Sequence, residues 1–289
     1  MRVLITGSNG QLGSEIKELA ANYKKLDFVF KDLPELDICN FEALQSFIID
    51  YNINIVINCA AYTVVDKAEE EAEIAEKVNS MGVANLVNAL EKVNGKLIHI
   101  STDYVFDGDH FFPYKESDPV SPIGVYGETK RAGELAVINS DIDSIVIRTS
   151  WLYSSYGNNF VKTMLRLGNE KENLGVIFDQ VGTPTYARDL AETCLEILCG
   201  ESSEDISENG SLYHYSNEGV ASWYDFAISI MEFGGENCKV KPIQTKDYPT
   251  LAKRPHYSVL NKSKIKTDFK IEISYWRDSL KDCIEKIKN

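Results

Sequence analysis

No apolar run in this chain of 289 residues approaches the roughly 20 residues that a bilayer-spanning helix needs, so no membrane span is expected. No secretory leader is expected either. The sequence enters the strand-like run 2–6 directly, without a basic, then apolar, then small-residue segment, which leads us to expect a cytoplasmic protein. Positive charge is scarce: 30 Lys and Arg against 44 Asp and Glu leave a net charge of −14. That balance argues against a nucleic-acid or anionic-membrane partner, while leaving room for a local basic pocket that holds phosphates. The six cysteines (39, 59, 194, 199, 238 and 283) form no Cys-x-x-Cys pair and lack histidines at metal-ligand spacing. We therefore read no metal site and expect buried, reduced thiols. Internal repeats and low-complexity tracts are absent as well.

What is present is alternation. Val/Ile/Leu-rich runs at 2–6, 27–30, 55–58, 96–101 and 144–148 read as strands. Between them lie helical patterns at 11–23, 41–51, a long stretch from about 66 to 93, and 126–138. Near-continuous apolar strands separated by helices are what a parallel sheet covered on both faces requires. The expected fold is a doubly wound (Rossmann) α/β sheet, with its ligand at the carboxyl ends of the strands. After Trp151 the elements shorten. Helices are expected at 159–168, 187–198, 223–233 and 276–287, strands at 174–178, 212–215 and 240–243, a loop at 179–185, and a solvated Glu/Ser-rich loop at 200–210. Residues 1–150 thus read as a dinucleotide-binding domain, and 151–289 as mostly a smaller substrate-binding lobe interleaved with the sheet.

Three local signals carry chemistry. Gly7, Gly10 and Gly13 stand at three-residue spacing between the first strand and the first helix. Glycine there permits a tight turn, close backbone approach to a pyrophosphate and close helix–strand packing. The spacing is G-x-x-G-x-x-G rather than G-x-G-x-x-G, and a glycine-rich turn that binds nothing stays open at this point. Tyr126 and Lys130 are four apart on a helical pattern, so both project from one face. A nearby ammonium would lower the phenol's pKa and ease proton transfer, although Tyr-x-x-x-Lys also arises by chance on exposed helices. Ser101, Thr102 and Asp103 end the fourth strand. A hydroxyl there can orient a carbonyl toward a proton donor, or merely cap a turn. In this chain order the three signals suggest a carbonyl reductase or alcohol dehydrogenase.

Longer strings extend these signals: Gly7-x-x-Gly10-Gln11-Leu12-Gly13, Asn58-Cys-Ala-Ala61-Tyr-Thr-Val-Val-Asp66, Ser101-Thr-Asp-Tyr-Val-Phe106, Tyr126-Gly-Glu-Thr-Lys130, Arg148-Thr-Ser-Trp151 and Asp179-Gln-Val-Gly-Thr-Pro-Thr185. On these the chain resembles the extended short-chain dehydrogenase/reductases and, within them, the dTDP-4-dehydrorhamnose reductase family. The resemblance implies NADH or NADPH as cofactor and reduction of a nucleotide-linked 4-keto-6-deoxyhexose. It implies Tyr126 as proton donor, Lys130 on the nicotinamide ribose, and Thr102 on the same substrate oxygen. Gly10, Gln11 and Leu12 would meet the pyrophosphate, Asp32 the adenosine ribose, and Asp37 and Ile38 the adenine. Ala60, Ala61 and Tyr62 would run along the cofactor, and Tyr62 stands where the family often has histidine. Thr102, Asp103 and Trp151 would touch the sugar, with the Trp151 indole facing the crevice. A homodimer is implied, and a magnesium ion that occurs at the dimer contact in some relatives would use Glu15, its other ligands being unplaced. Two further readings remain open: a nucleotide-sugar epimerase or dehydratase that recycles NAD⁺, and a non-catalytic cofactor-binding subunit resembling the regulatory subunit of methionine adenosyltransferase.

Overall fold

A computed structural model describes residues 1–199 and 210–289, so the expected loop at 200–210 falls almost entirely outside the described residues. Six strands form one sheet: β1 (Arg2–Thr6), β2 (Asp27–Lys31), β3 (Ile55–Asn58), β4 (Lys96–Thr102), β5 (Ser144–Thr149) and β6 (Ser211–His214). Their order is β6-β5-β4-β3-β1-β2, and every neighbouring pair is parallel. The order reverses between β1 and β3, the switch point at which a doubly wound sheet opens a crevice for ligand.

Alternation along each strand divides the core. Val3 and Ile5 of β1, Ile55 and Ile57 of β3 and Ile145 and Ile147 of β5 face one side. There they pack on helix α1 (Gln11–Leu19) and on a helix at Ala187–Cys199. Leu4, Val56, Leu97 and Val146 face the other side. They meet α2 (Phe41–Asp50), α3 (Gly82–Glu91) and the end of α4 (Val125–Ile138). Each such Ile or Leu, fully buried, contributes about 1.5–3 kcal/mol of transfer free energy, so the two layers hold the sheet's position firmly. A third core joins Tyr153, Val161, Phe226, Ile230, Trp276 and Leu280 in the C-terminal half. That half also supplies β6 to the main sheet.

The expected continuous helix from 66 to 93 is broken. It becomes helical turns at Val65–Ala68 and Ala72–Glu76, a π-helical turn at Lys77–Met81, and α3. The break falls at Glu69-Glu70-Glu71. Two of these carboxylates serve other segments: Glu69 accepts from the Val125 backbone N–H, and Glu71 from the Tyr62 phenol. In the π turn, Asn79 bonds both the N–H and the C=O of Tyr62, tying the bulge to the crevice wall. The expected loop at 179–185 contains the short strands Val181–Gly182 and Thr185–Tyr186, and a helix at Ser263–Phe269 was not foreseen.

Candidate active site

A cavity of about 780 Å³ opens at the carboxyl ends of β1, β3 and β4, a size within the usual range for small-molecule and cofactor sites. Its floor is the glycine turn. Gly7 has φ of +60°, and a Cβ there would lie 2.7 Å from Ala60 Cα, so only glycine fits. Gly10 is the N-cap of α1 and donates to Gly7 O at 3.0 Å. The first turn of α1 has no side-chain cap, leaving its backbone N–H groups aimed at the cavity as an anion site. Gly13 does not line the cavity. A Cβ on it would sit 2.5 Å from Gly7 O, so its part is close packing of helix on turn rather than ligand contact.

At the tip of β2, Asp32 accepts from the Asn9 N–H and the Leu33 N–H, each at 2.8 Å. The carboxylate is thereby fixed beside the glycine turn, where a ribose would lie. Asp37, Ile38, Ala60, Ala61 and Tyr62 all line the same cavity. Lys31, next to Asp32, reaches Glu35 at 3.6 Å and the Phe47 ring at 5.9 Å, away from the cavity. These features fit a dinucleotide: a glycine cradle with no room for side chains, a bare helix N-terminus, and an acid at the tip of the second strand.

The far end of the cavity holds the reactive groups. Tyr126 and Lys130 project from the first turns of α4 beside Thr102 and Asp103 at the end of β4. Burial pushes the Tyr126 phenol well above its ordinary pKa, and its interaction with the Thr102 side chain offsets part of this. The expected lowering by Lys130 is therefore not found. Its physical reason is visible: the Lys130 ammonium donates to Ile100 O at 2.7 Å rather than to the phenol. Lys130 itself is brought down to about 8 by burial, with Glu134 and Cys59 opposing. Thr102 Oγ donates to Asp103 Oδ1 at 3.0 Å, and burial raises the Asp103 carboxyl to about 6.

Trp151 sits in the left-handed region at φ +48° and lines the cavity, as expected. Its indole stacks on Trp223, with ring centroids 3.6 Å apart and planes 8° from parallel. It thus belongs both to the cavity wall and to the packing of the C-terminal half. Glu15 is buried and accepts from Ser154 at 2.6 Å and Lys286 at 2.9 Å, with Arg188 at 3.7 Å. The carboxylate is already neutralised by two cations, and among the described residues no cluster of three or more His, Cys, Asp or Glu could hold a metal.

The comparisons with known proteins agree with this geometry. The family described as the RmlD substrate binding domain matches residues 1–289. The chain belongs to that family. It is 43% identical over 291 aligned positions to a dTDP-4-dehydrorhamnose reductase from Aggregatibacter actinomycetemcomitans, covering 97% of each protein. A dTDP-4-dehydrorhamnose reductase structure from Clostridium acetobutylicum superposes with a TM-score of 0.93 at 41% identity, over 100% of both chains. One from Bacillus anthracis, solved in complex with NADP, superposes at 0.91 with 38% identity over 99% of each.

Some lining residues of this family member were not singled out from sequence. Tyr104 places its ring edge-on to Tyr126, with centroids 5.4 Å apart, and its phenol accepts from Arg254. Arg254 also holds Asp66 at 2.6 Å, so the C-terminal segment is tied to the two loops that border the reactive end. Asn159, the N-cap of the helix at Phe160–Glu170, donates to the Gln11 side chain at 3.0 Å. Nothing in the local sequence Gly157-Asn-Asn-Phe says that it closes over the glycine turn.

Proposed function

We propose that the protein reduces the 4-keto group of dTDP-4-dehydro-L-rhamnose to give dTDP-L-rhamnose, using NADH or NADPH. The observation that carries this is the single cavity running from the glycine turn and Asp32 to Tyr126, Thr102 and Lys130. Reduced nicotinamide, when bound, supplies the hydride; the protein supplies position and a proton. The first turn of α1 would hold the pyrophosphate and Asp32 the adenosine ribose, with Asp37 and Ile38 at the adenine and Ala60, Ala61 and Tyr62 along the cofactor. Lys130 would hold the nicotinamide ribose.

At the sugar, Thr102 hydrogen-bonds the carbonyl oxygen and Asp103 a neighbouring hydroxyl, while Trp151 covers an apolar face. Tyr126 delivers its proton to the oxygen as negative charge develops there. A phenol that burial keeps protonated suits this role: it is fully loaded near neutral pH, and the alkoxide it meets is a far stronger base. We place the enzyme in the cytoplasm, in keeping with six free cysteines, and as a homodimer, which light scattering at micromolar concentration tests.

Purified protein incubated with dTDP-4-dehydro-L-rhamnose and each cofactor decides the reading. Stoichiometric consumption of the reduced cofactor supports it. Tight NAD⁺ with no net consumption would instead indicate an epimerase or dehydratase, and cofactor binding without turnover a regulatory subunit.

A further inference from the structure

The stripe of α4 that presents Tyr126 and Lys130 continues to Glu134, so three polar side chains stand at i, i+4 and i+8. Glu134 is fully buried and clamped. Its Oε1 accepts from Arg148 Nε at 2.8 Å, and its Oε2 from Arg148 Nη2 at 2.8 Å and Arg131 Nη1 at 2.7 Å. Arg148 comes from β5, and its guanidinium lies 5.0 Å from the Phe106 ring centroid and 3.4 Å from His214 Nε2. A bidentate guanidinium–carboxylate pair inside the protein fixes both partners' orientation. It therefore fixes the rotation of α4 against β4 and β5.

The same carboxylate acts on Lys130. Around that ammonium stand Glu134 and Tyr126 from its own helix, Cys59 from the turn after β3 and His99 from β4. Burial keeps the Cys59 thiol and the His99 imidazole neutral. Burial lowers the Lys130 pKa, and Glu134 is the carboxylate that opposes this and favours its charge.

We propose that Glu134 is a positioning residue for the carbonyl reduction: clamped by Arg148 and Arg131, it sets the rotation of the helix that presents Tyr126 and supplies the negative charge that keeps Lys130 an ammonium. This rests on the roles assigned above to Tyr126 and Lys130. Burial alone would leave Lys130 partly neutral in ordinary buffers, and a neutral amine holds a ribose hydroxyl pair less well.

The pH profile of NADH affinity, read by protein fluorescence, tests it. In wild type an alkaline limb is expected near pH 8, where Lys130 loses its proton. Glu134→Gln should move that limb down by about one pH unit, the effect of one unit charge a helical turn away at an effective dielectric near 20 with partial screening. At pH 8.5 its kcat should be about tenfold below wild type, and at pH 6.5 within about twofold. Arg131→Gln, a change on the half-buried side of the clamp, should move the limb up by a few tenths of a unit. A merely structural Glu134 predicts a lower melting temperature and an equal loss at every pH with the limb unmoved, and that result would overturn the proposal. If Glu134→Gln does not fold, Arg131→Gln decides alone: an unmoved limb overturns the proposal. The pH dependence of Lys130 acetylation, followed by peptide mass spectrometry, reads the ammonium without any substrate. A shift there in a protein that reduces no keto sugar would support the charge coupling while refuting the reductase reading.

Discussion

Replacing Asp103 by Asn should make the protein more stable and a poorer enzyme. Asp103 sits at the end of β4 with its side chain out of water, and burial is the largest influence on its carboxyl. The hydroxyls of Thr102 and Ser258 recover only part of the lost solvation, so the folded-state pKa rises from 3.8 to about 6. The folded state then binds the proton more tightly than the unfolded state. Stability contributed by the neutral carboxyl is full below pH 3.8 and falls as pH rises toward 6, after which the whole cost of the buried charge is present. At 1.36 kcal/mol per unit, that cost is at most about 3 kcal/mol at neutral pH, and roughly half of it remains at pH 5. An uncharged amide escapes it while still accepting the Thr102 hydrogen bond. Allowing for an amide N–H₂ that is imperfectly paired, we expect a net gain of about 1–2 kcal/mol at pH 7.5. For a chain of this size the melting temperature should rise by about 2–5 °C. Scanning calorimetry at pH 7.5 and pH 5 measures both the gain and its decline. A variant less stable than wild type at pH 7.5, or a gain independent of pH, would refute the reasoning. The same variant should show a raised KM for the sugar, because stability has been given up here for a charge the site uses.

Tyr126→Phe should keep the melting temperature and cofactor affinity and lower turnover by about 10² to 10⁴, the usual weight of general acid catalysis; turnover near wild type would remove Tyr126 from that role. Trp151→Ala should raise the sugar KM and also cost about 1–3 kcal/mol in urea unfolding, since the indole is part-buried and stacked on Trp223; an unchanged unfolding midpoint would show that the stack contributes nothing. Asp32→Ala should shift the ratio of kcat/KM for NADPH over NADH upward by about tenfold, because a 2′-phosphate no longer meets a fixed carboxylate; an unchanged ratio would place the ribose elsewhere.

The sheet was legible because its inner strands are buried on both faces. Runs such as Arg2–Thr6 and Ile55–Asn58 leave no polar alternation to confuse with helix, and both bounds emerge as expected. The glycine turn was legible because its need for bare backbone is local. The chain between residues 66 and 93 misled because apolar periodicity continues through a place where Glu69 and Glu71 are drawn out to hydrogen-bond Val125 and Tyr62. The pKa of Tyr126 could not be read from its spacing to Lys130. A four-residue interval shows that two groups share a face, but not that the ammonium bonds a strand carbonyl instead of the phenol. Arg254 and Asn159 were hidden for a related reason: they reach the site from 150 and 148 residues away along the chain, and only the fold brings them to Tyr104 and Gln11.

The central claim is that Tyr126 and the cavity it closes serve hydride transfer to a sugar ketone. The direct measurement uses NADH carrying deuterium at the transferred position and dTDP-4-dehydro-L-rhamnose, with mass and NMR analysis of the product. The account predicts one deuterium at sugar C4 per cofactor oxidised in wild type, and almost none in the same time with Tyr126→Phe. Product without deuterium at C4, or deuterium transfer that is as fast without the phenol, would contradict it.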